Sequence, residues 1–164
     1  MRESPRLPEF DYRGCYRYFL TYCTFARARV FTTRDIVALV NAQFLRAAIE
    51  NSVDVLTYCF MPDHVHLLVE GADPGADAKA FIARSKQYSG YRYRARTGGR
   101  LWQRDSFDRV LRDTEGTIAV ARYILGNPVR AGLVNRPLDY PFSGSFAWDR
   151  EALTDVFIDS VSGS

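Results

Sequence analysis

His64 and His66 are the two histidines of this 164-residue chain, and one valine separates them. They sit in Phe60–Gly71, which reads FMPDHVHLLVEG. The stretch alternates as a strand does. Val65, Leu67 and Val69 share one face, while His64, His66, Leu68 and Glu70 share the other. Spacing of i, i+2 therefore sets two imidazoles side by side. Neighbouring imidazoles can hold a divalent metal or meet a phosphate. The simpler alternative is a half-exposed strand with its polar residues outward.

The elements that position this pair can be read along the chain. Residues 1–14 are a polar lead containing prolines. Cys15–Phe25 is aromatic and β-prone, and predicts a first strand. Thr32 or Thr33 can cap a helix to about Asn51, because Ile36, Leu39, Val40, Phe44, Ala47 and Ala48 recur at helical spacing. Val53–Met61 predicts a second strand. Pro62-Asp63 then turns the histidine strand back antiparallel. A second helix is expected from about Ala76 to Arg96, ended by Gly98-Gly99. Leu101–Arg112 reads as a more irregular extended segment. Asp113 or Thr114 can cap a last helix, with Glu115 in its first turn. That helix is expected to end near Gly126, because Pro128 disfavours helix at Asn127. Residues 128–150 are rich in turn formers, and the last fourteen residues have room for one short element.

The order β-α-β-β-α-β plus a helix predicts an α+β, ferredoxin-like (split βαβ) fold. It has an antiparallel sheet with two helices on one face and a further helix beyond. If Val65, Leu67 and Val69 lie under the two helices, the histidines point to the opposite face. The third helix can close over that face. No internal linker divides the chain, so residues 1–164 are expected to form one domain with a core of about 15–145.

Composition narrows the class. A hydrophobic content of 47% and an aromatic content of 14% suit a folded globular protein. No apolar run approaches the ~20 residues that span a bilayer. The N-terminus has no apolar signal-like run, and Cys15, Cys23 and Cys59 form no C-x-x-C pair. A cytoplasmic protein with no membrane partner is expected. Net charge is only +3, yet Lys79–Arg112 holds ten basic residues against Asp105 and Asp108. Phe81, Tyr88, Tyr91, Tyr93, Trp102 and Phe107 interleave with them. Cations neutralise phosphates and aromatic faces stack on unpaired bases. The alternative is a solvated helix face with its aromatics turned inward.

The last helix carries Tyr123 beside an apolar stripe of Ile118, Ala121 and Leu125. Gly116, Ala119, Val120, Gly126 and Asn127 are its neighbours at helical spacing. The small residues among them either leave a phenol uncovered or permit close packing against another element.

Together HVH within FMPDHVHLLVEG, the segment LWQRDSFDRVLRD and the run YILGNPVRAGLV resemble the single-tyrosine HUH transposases. They are most similar to the REP-associated tyrosine branch of the IS200-like group. The resemblance runs from about Cys15 to Ser145. It implies that His64 and His66 bind a divalent metal, Mg²⁺ or Mn²⁺, and that Tyr123 is the nucleophile. In relatives a polar residue one turn after the tyrosine, often glutamine, completes the metal site. Here that position is Asn127. The implied activity is metal-dependent nicking and joining of single-stranded DNA through a 5′-phosphotyrosine. The implied partner is a DNA hairpin such as a repetitive extragenic palindrome. Arg84, Lys86, Arg92, Arg94, Trp102, Arg104, Arg109 and Arg112 would hold DNA, with Arg122 and Arg130 beside the tyrosine. Relatives include dimers with shared active sites, so a homodimer is compatible.

Three other functions compete. A histidine-triad nucleotide hydrolase needs a third alternating histidine, and that position is Leu68. An RNA-binding sheet of the RRM kind would leave the paired histidines unexplained. A relative that binds hairpins without mobilising them would share the same fold.

Overall fold

A computed structural model describes residues 10–112 and 116–158. The elements are β1 (Arg17–Thr24), α1 (Arg34–Glu50), β2 (Val53–Met61), β3 (His64–Gly71), α2 (Ala78–Thr97), β4 (Trp102–Val110), α3 (Thr117–Arg130), β5 (Ser143–Gly144) and α4 (Arg150–Asp155). The five strands form one sheet in the order β4-β1-β3-β2-β5. All its pairings are antiparallel. β3 is central, between β1 and β2.

Local chemistry explains most boundaries. Thr33 caps α1 by accepting from the Ile36 amide. Asp77 caps α2 in the same way through the Ala80 amide, and Gly98 closes it in the left-handed region at φ 80°. The Pro62-Asp63 turn joins β2 to β3, as the sequence implies.

Alternation along β3 divides the core in two. Val65, Leu67 and Val69 are fully buried with Val40 and Phe44 of α1 and Phe81 and Ile82 of α2. On the opposite face Leu68 packs with Phe19, Ala121, Ile124 and Leu125, and with Tyr140, Leu153 and Val156 from the C-terminal part. The expected helix pair thus lies on one side, and α3 closes the other. Arg17 donates to the Thr117 hydroxyl at the start of α3. The Tyr140 hydroxyl donates to the Phe60 carbonyl, fastening the C-terminal segment over the sheet.

Two expectations about α3 need correction. Its N-cap is Gly116, with no side-chain cap; Asp113, Thr114 and Glu115 lie outside the described residues. The helix also does not stop near Gly126 but runs through Pro128 to Arg130. Proline lacks the amide that would bond the Ile124 carbonyl, yet its fixed φ suits a helix. Burial of Pro128 and the following bonds, Ala131 N–H to Asn127 O and Leu133 N–H to Pro128 O, carry the helix onward.

Trp102 also departs from expectation. It is 5% exposed, with its ring 5.6 Å from those of Tyr22 and Phe31. Its Nε1 donates to Ser89 Oγ at 2.9 Å. Burial of so large an apolar ring outweighs any surface role, so Trp102 offers no face to a base.

Gly71 ends β3 where no side chain fits. A Cβ there would lie 1.9 Å from the Gly14 carbonyl oxygen. Gly71→Ala is therefore expected to cost on the order of 3 kcal/mol through forced backbone movement. At Gly99 the nearest atom to a Cβ is 3.7 Å away, so Gly99→Ala should stay within about 0.5 kcal/mol of wild type. Urea unfolding of both variants measures the contrast.

Candidate functional site

Strand pairing builds the site. Thr21 lies opposite His66 and Cys23 opposite His64, so β1 supplies the neighbours of both rings. The two imidazole centroids are 4.7 Å apart, with planes inclined at 75°. His64 Nδ1 donates to Asp63 Oδ1 at 2.7 Å. Thr21 Oγ1 lies 2.9 Å from His66 Nδ1. Each ring is thus held at Nδ1. With the proton there, each Nε2 presents a lone pair, the arrangement that metal-ligating imidazoles use.

The Asp63 contact is itself supported. Arg27 Nε donates to Asp63 Oδ2 at 3.1 Å, and Nη2 lies 3.1 Å from the same oxygen. Reaching it takes two successive residues, Ala26 and Arg27, at φ 54°. Left-handed backbone costs roughly 1–2 kcal/mol at each non-glycine residue. Burial resists ionisation of Asp63, but the His64 hydrogen bond and the charge of Arg27 outweigh it and hold the carboxyl below its usual range. Asp63 is therefore an anion that accepts, which assigns the proton to His64 Nδ1.

His66 is more enclosed than a half-exposed strand face predicts, at 8% exposure. Burial first, then the nearby His64, Arg130 and Arg27, push its pKa down to about 3. It is a neutral nitrogen donor at any ordinary pH.

α3 brings the phenol. Tyr123 is 49% exposed, and its ring lies 6.1 Å from that of Phe19. Phe19 in turn lies 5.3 Å from His66. A cleft of about 320 Å³ is lined by Phe19, His66, Phe107, Arg109, Ala119, Val120 and Tyr123. Ala119 and Val120 leave the phenol uncovered, one of the two outcomes open from sequence. Arg130 folds back along the helix. Its guanidinium lies 4.2 Å from the Tyr123 ring centroid, and Nη2 donates to the Tyr123 carbonyl at 2.5 Å. A Cβ at Gly126 would come within 3.0 Å of Arg130 Nη1, so the glycine leaves room for that fold-back.

Asn127 follows Tyr123 by one turn on the same helix side and is partly buried. Among the described residues no group of three or more His, Cys, Asp or Glu gathers to hold a metal. The candidate donors are therefore the two imidazoles, with the Asn127 amide as a third. Such a set suits a divalent ion that keeps positions open for other oxygens.

The expected DNA contacts separate into distinct places. Arg109 lines the tyrosine cleft and Arg130 covers Tyr123. Arg122 Nε donates to the Val156 carbonyl, tying α3 to the chain beyond α4. Lys86, Arg94 and Arg104 line a different cleft, between α2 and β4. Arg84, Arg92 and Arg112 are exposed outside both. Trp102 is in the core. Asp63, Thr21 and Arg27 were not anticipated. Asp63 stood next to His64 but read as a turn residue. Thr21 lies 45 positions from His66 and Arg27 36 from Asp63; strand register brings in the first, and the turn after β1 the second.

The family model for IS200-like transposases matches residues 14–126. The chain belongs to that family. A Haemophilus influenzae protein named as a REP-associated tyrosine transposase is 24% identical over 159 residues, covering 90% of this chain and 88% of that protein. The fold is similar to a REP-associated tyrosine transposase solved bound to a REP hairpin. That match has a TM-score of 0.71 at 19% identity, over 100% of this chain and 93% of the other. A transposase structure from Deinococcus radiodurans matches at a TM-score of 0.51 and 23% identity, over 76% of this chain and 97% of its own. Among the described residues no helix of this IS200-like chain is long and apolar enough to cross a membrane.

Neutral burial of His66 has a pH consequence. The folded protein refuses a proton that the unfolded chain accepts below its ordinary pKa of 6.5. Metal-free protein should therefore keep this stability above pH 6.5 and lose it as pH falls toward about 3. The slope is at most about 1.4 kcal/mol per pH unit. Urea midpoints across the upper part of this window, above the carboxylate range, should fall in wild type and fall less in His66→Gln.

Proposed function

We propose that the chain is a single HUH-type domain that nicks and joins single-stranded DNA through a phosphotyrosine, using Tyr123 as nucleophile. The observation that carries this reading is the shared cleft: Tyr123 and His66 line it together, in a chain of the IS200-like family. His64 and His66 would hold Mg²⁺ or Mn²⁺ through their Nε2 atoms, with Asn127 as a further donor. Imidazole ligands suit manganese better than magnesium. A divalent ion there would withdraw charge from a scissile phosphate and orient it.

Each protein group has a defined task. The Tyr123 oxygen attacks phosphorus, and its phenolic proton passes to solvent at the open side of the cleft. The new O–P bond forms as the bond to the 3′ oxygen breaks. That oxygen takes up a proton and leaves as a free 3′ hydroxyl, while the 5′ phosphate stays on the tyrosine. The link keeps the phosphodiester energy, so rejoining needs no ATP. Arg109 lies on the cleft wall and can meet the strand's phosphates. Arg130 steadies the Tyr123 ring and adds positive charge beside it. The substrate would be a hairpin with flanking single strand, such as a repetitive extragenic palindrome. The hairpin bound in the solved relative supports this choice.

A covalent-adduct assay tests the proposal. Labelled hairpin DNA from beside the gene is incubated with Mn²⁺ and resolved on a denaturing protein gel. Wild type should give a labelled band and Tyr123→Phe none. His64→Ala and His66→Ala should each slow adduct formation roughly a hundredfold or more, the scale on which one lost electrostatic stabiliser acts, while keeping hairpin affinity. A band of equal strength in Tyr123→Phe would move the nucleophile elsewhere. Undiminished rates in both histidine variants would remove the metal site. Hairpin binding with no adduct in wild type would leave a binding protein on a transposase fold.

A further inference from the structure

In the tyrosine cleft the wall away from the histidines is apolar, and the chemistry at Tyr123 leaves it without a task. Strand register places that wall. Phe107 of β4 lies opposite Thr21 of β1, and Thr21 lies opposite His66 of β3. Cross-strand partners share a sheet face, so Phe107 and His66 point the same way, two strand spacings or about 10 Å apart. Trp102 stands five positions earlier on β4, and that odd spacing sends it to the opposite face and into the core. Phe107 is only partly buried. Its ring stands edge-on to Phe19, with centroids 6.4 Å apart and planes at 79°. Phe19, 7% exposed, also borders His66 and Tyr123. Ala119 and Val120 of α3 add further apolar atoms on short side chains.

The occupant of such a wall must continue from a phosphate held between Tyr123 and His66. A phosphate oxygen against apolar carbon would lose its water without gaining a partner. The nucleobase of an adjoining nucleotide meets no such cost, because its π face stacks on aromatic rings. A volume of about 320 Å³ is near the lower end of small-molecule sites, which suits one unpaired base and not a base pair. The lining residues carry no amide or carboxylate side chain, the groups that pair with adenine or cytosine edges. The wall therefore holds a base by its face and tolerates its identity. Arg109, opposite Phe19 in the β1–β4 pairing, lines the same cleft and can meet the next phosphate.

We infer that Phe107, backed by Phe19, is the stacking seat for the unpaired nucleobase next to the phosphate that Tyr123 attacks. The inference rests on the proposed phosphotyrosine chemistry, and its test separates the two because binding is read without metal. Fluorescence anisotropy is measured on the full chain with a labelled hairpin and its flanking single strand. One nucleotide of the flank at a time is replaced by an abasic sugar.

In wild type, one abasic position should weaken binding roughly tenfold, the scale of one lost stacked base. Phe107→Leu should weaken binding of the intact strand by a similar factor and lose nothing further at that position, since base and ring act as a pair. Phe107→Tyr, which keeps the aromatic face, should behave as wild type. With Mn²⁺ added, the adduct should form at a phosphate adjoining the sensitive nucleotide. Absence of any abasic-sensitive position in wild type overturns the inference, whatever the adduct assay gives. An undiminished abasic loss in Phe107→Leu also overturns it, and is the result of a merely structural role for Phe107. An adduct at a phosphate remote from the sensitive nucleotide overturns the assignment to this cleft. A Phe107-dependent loss in a protein that forms no adduct keeps the seat and removes the proposed chemistry.

Discussion

The register of β3 governs everything else. Val65, Leu67 and Val69 are fully buried beneath α1 and α2. Each such side chain contributes roughly 1.5–3 kcal/mol by burial, an upper estimate given a compact unfolded chain. A slip of one residue would drive both imidazoles into that apolar core and turn the aliphatics outward. The same burial that holds the sheet to its helices therefore aims His64 and His66 at the opposite face. Hydrophobic packing, which has no directionality, sets the direction of the polar pair through strand alternation.

Direction alone would leave two flexible rings. What finishes them comes from elsewhere in the chain and from opposing effects. Burial deprives His66 of a proton, while Asp63, kept anionic by His64 and Arg27, fixes the proton of His64 at Nδ1. Desolvation thus keeps one ring neutral, and a hydrogen bond fixes the position of the proton on the other. The strained pair Ala26–Arg27 indicates that the second route has a local cost. An ion pair and the bonds from Thr24 to the Asp63 carbonyl act against that cost and join the end of β1 to the turn before β3.

Much of this was legible in the sequence where a single periodicity decides. β2 matches its expected Val53–Met61 limits, and the helix cap at Thr33, the Pro62-Asp63 turn and the face shared by the histidines follow from local rules. Legibility failed where two signals conflict or where register acts at a distance. Trp102 sits in an arginine-rich run, so composition suggested a nucleic-acid surface; its strand position instead placed it in the aromatic core with Phe31 and Phe44. Pro128 signalled a helix end, but its burial within α3 outweighs one forgone hydrogen bond. Thr21 and Arg27 carry no local mark of a role: Thr21 gains its place by pairing with β3, and Arg27 by reaching Asp63 in the turn before it.

Continuation of α3 through Pro128 has its own consequence for the phenol. Had the helix stopped near Gly126, Arg130 would lie in a loop with no fixed relation to Tyr123. Within the helix it stands seven residues on, two turns away and on the same side. A long side chain can then reach back, provided that nothing stands between. Gly126 occupies that intermediate turn, and any Cβ there would press on the guanidinium. Small residues on this face thus do two jobs that the sequence left as alternatives. Ala119 keeps one side of the ring open to the cleft, and Gly126 admits the cation that covers the other. An exposed tyrosine would otherwise sample several rotamers. Here it lies between Phe19 and Arg130 and lines the same cleft as His66, which β3 has already aimed.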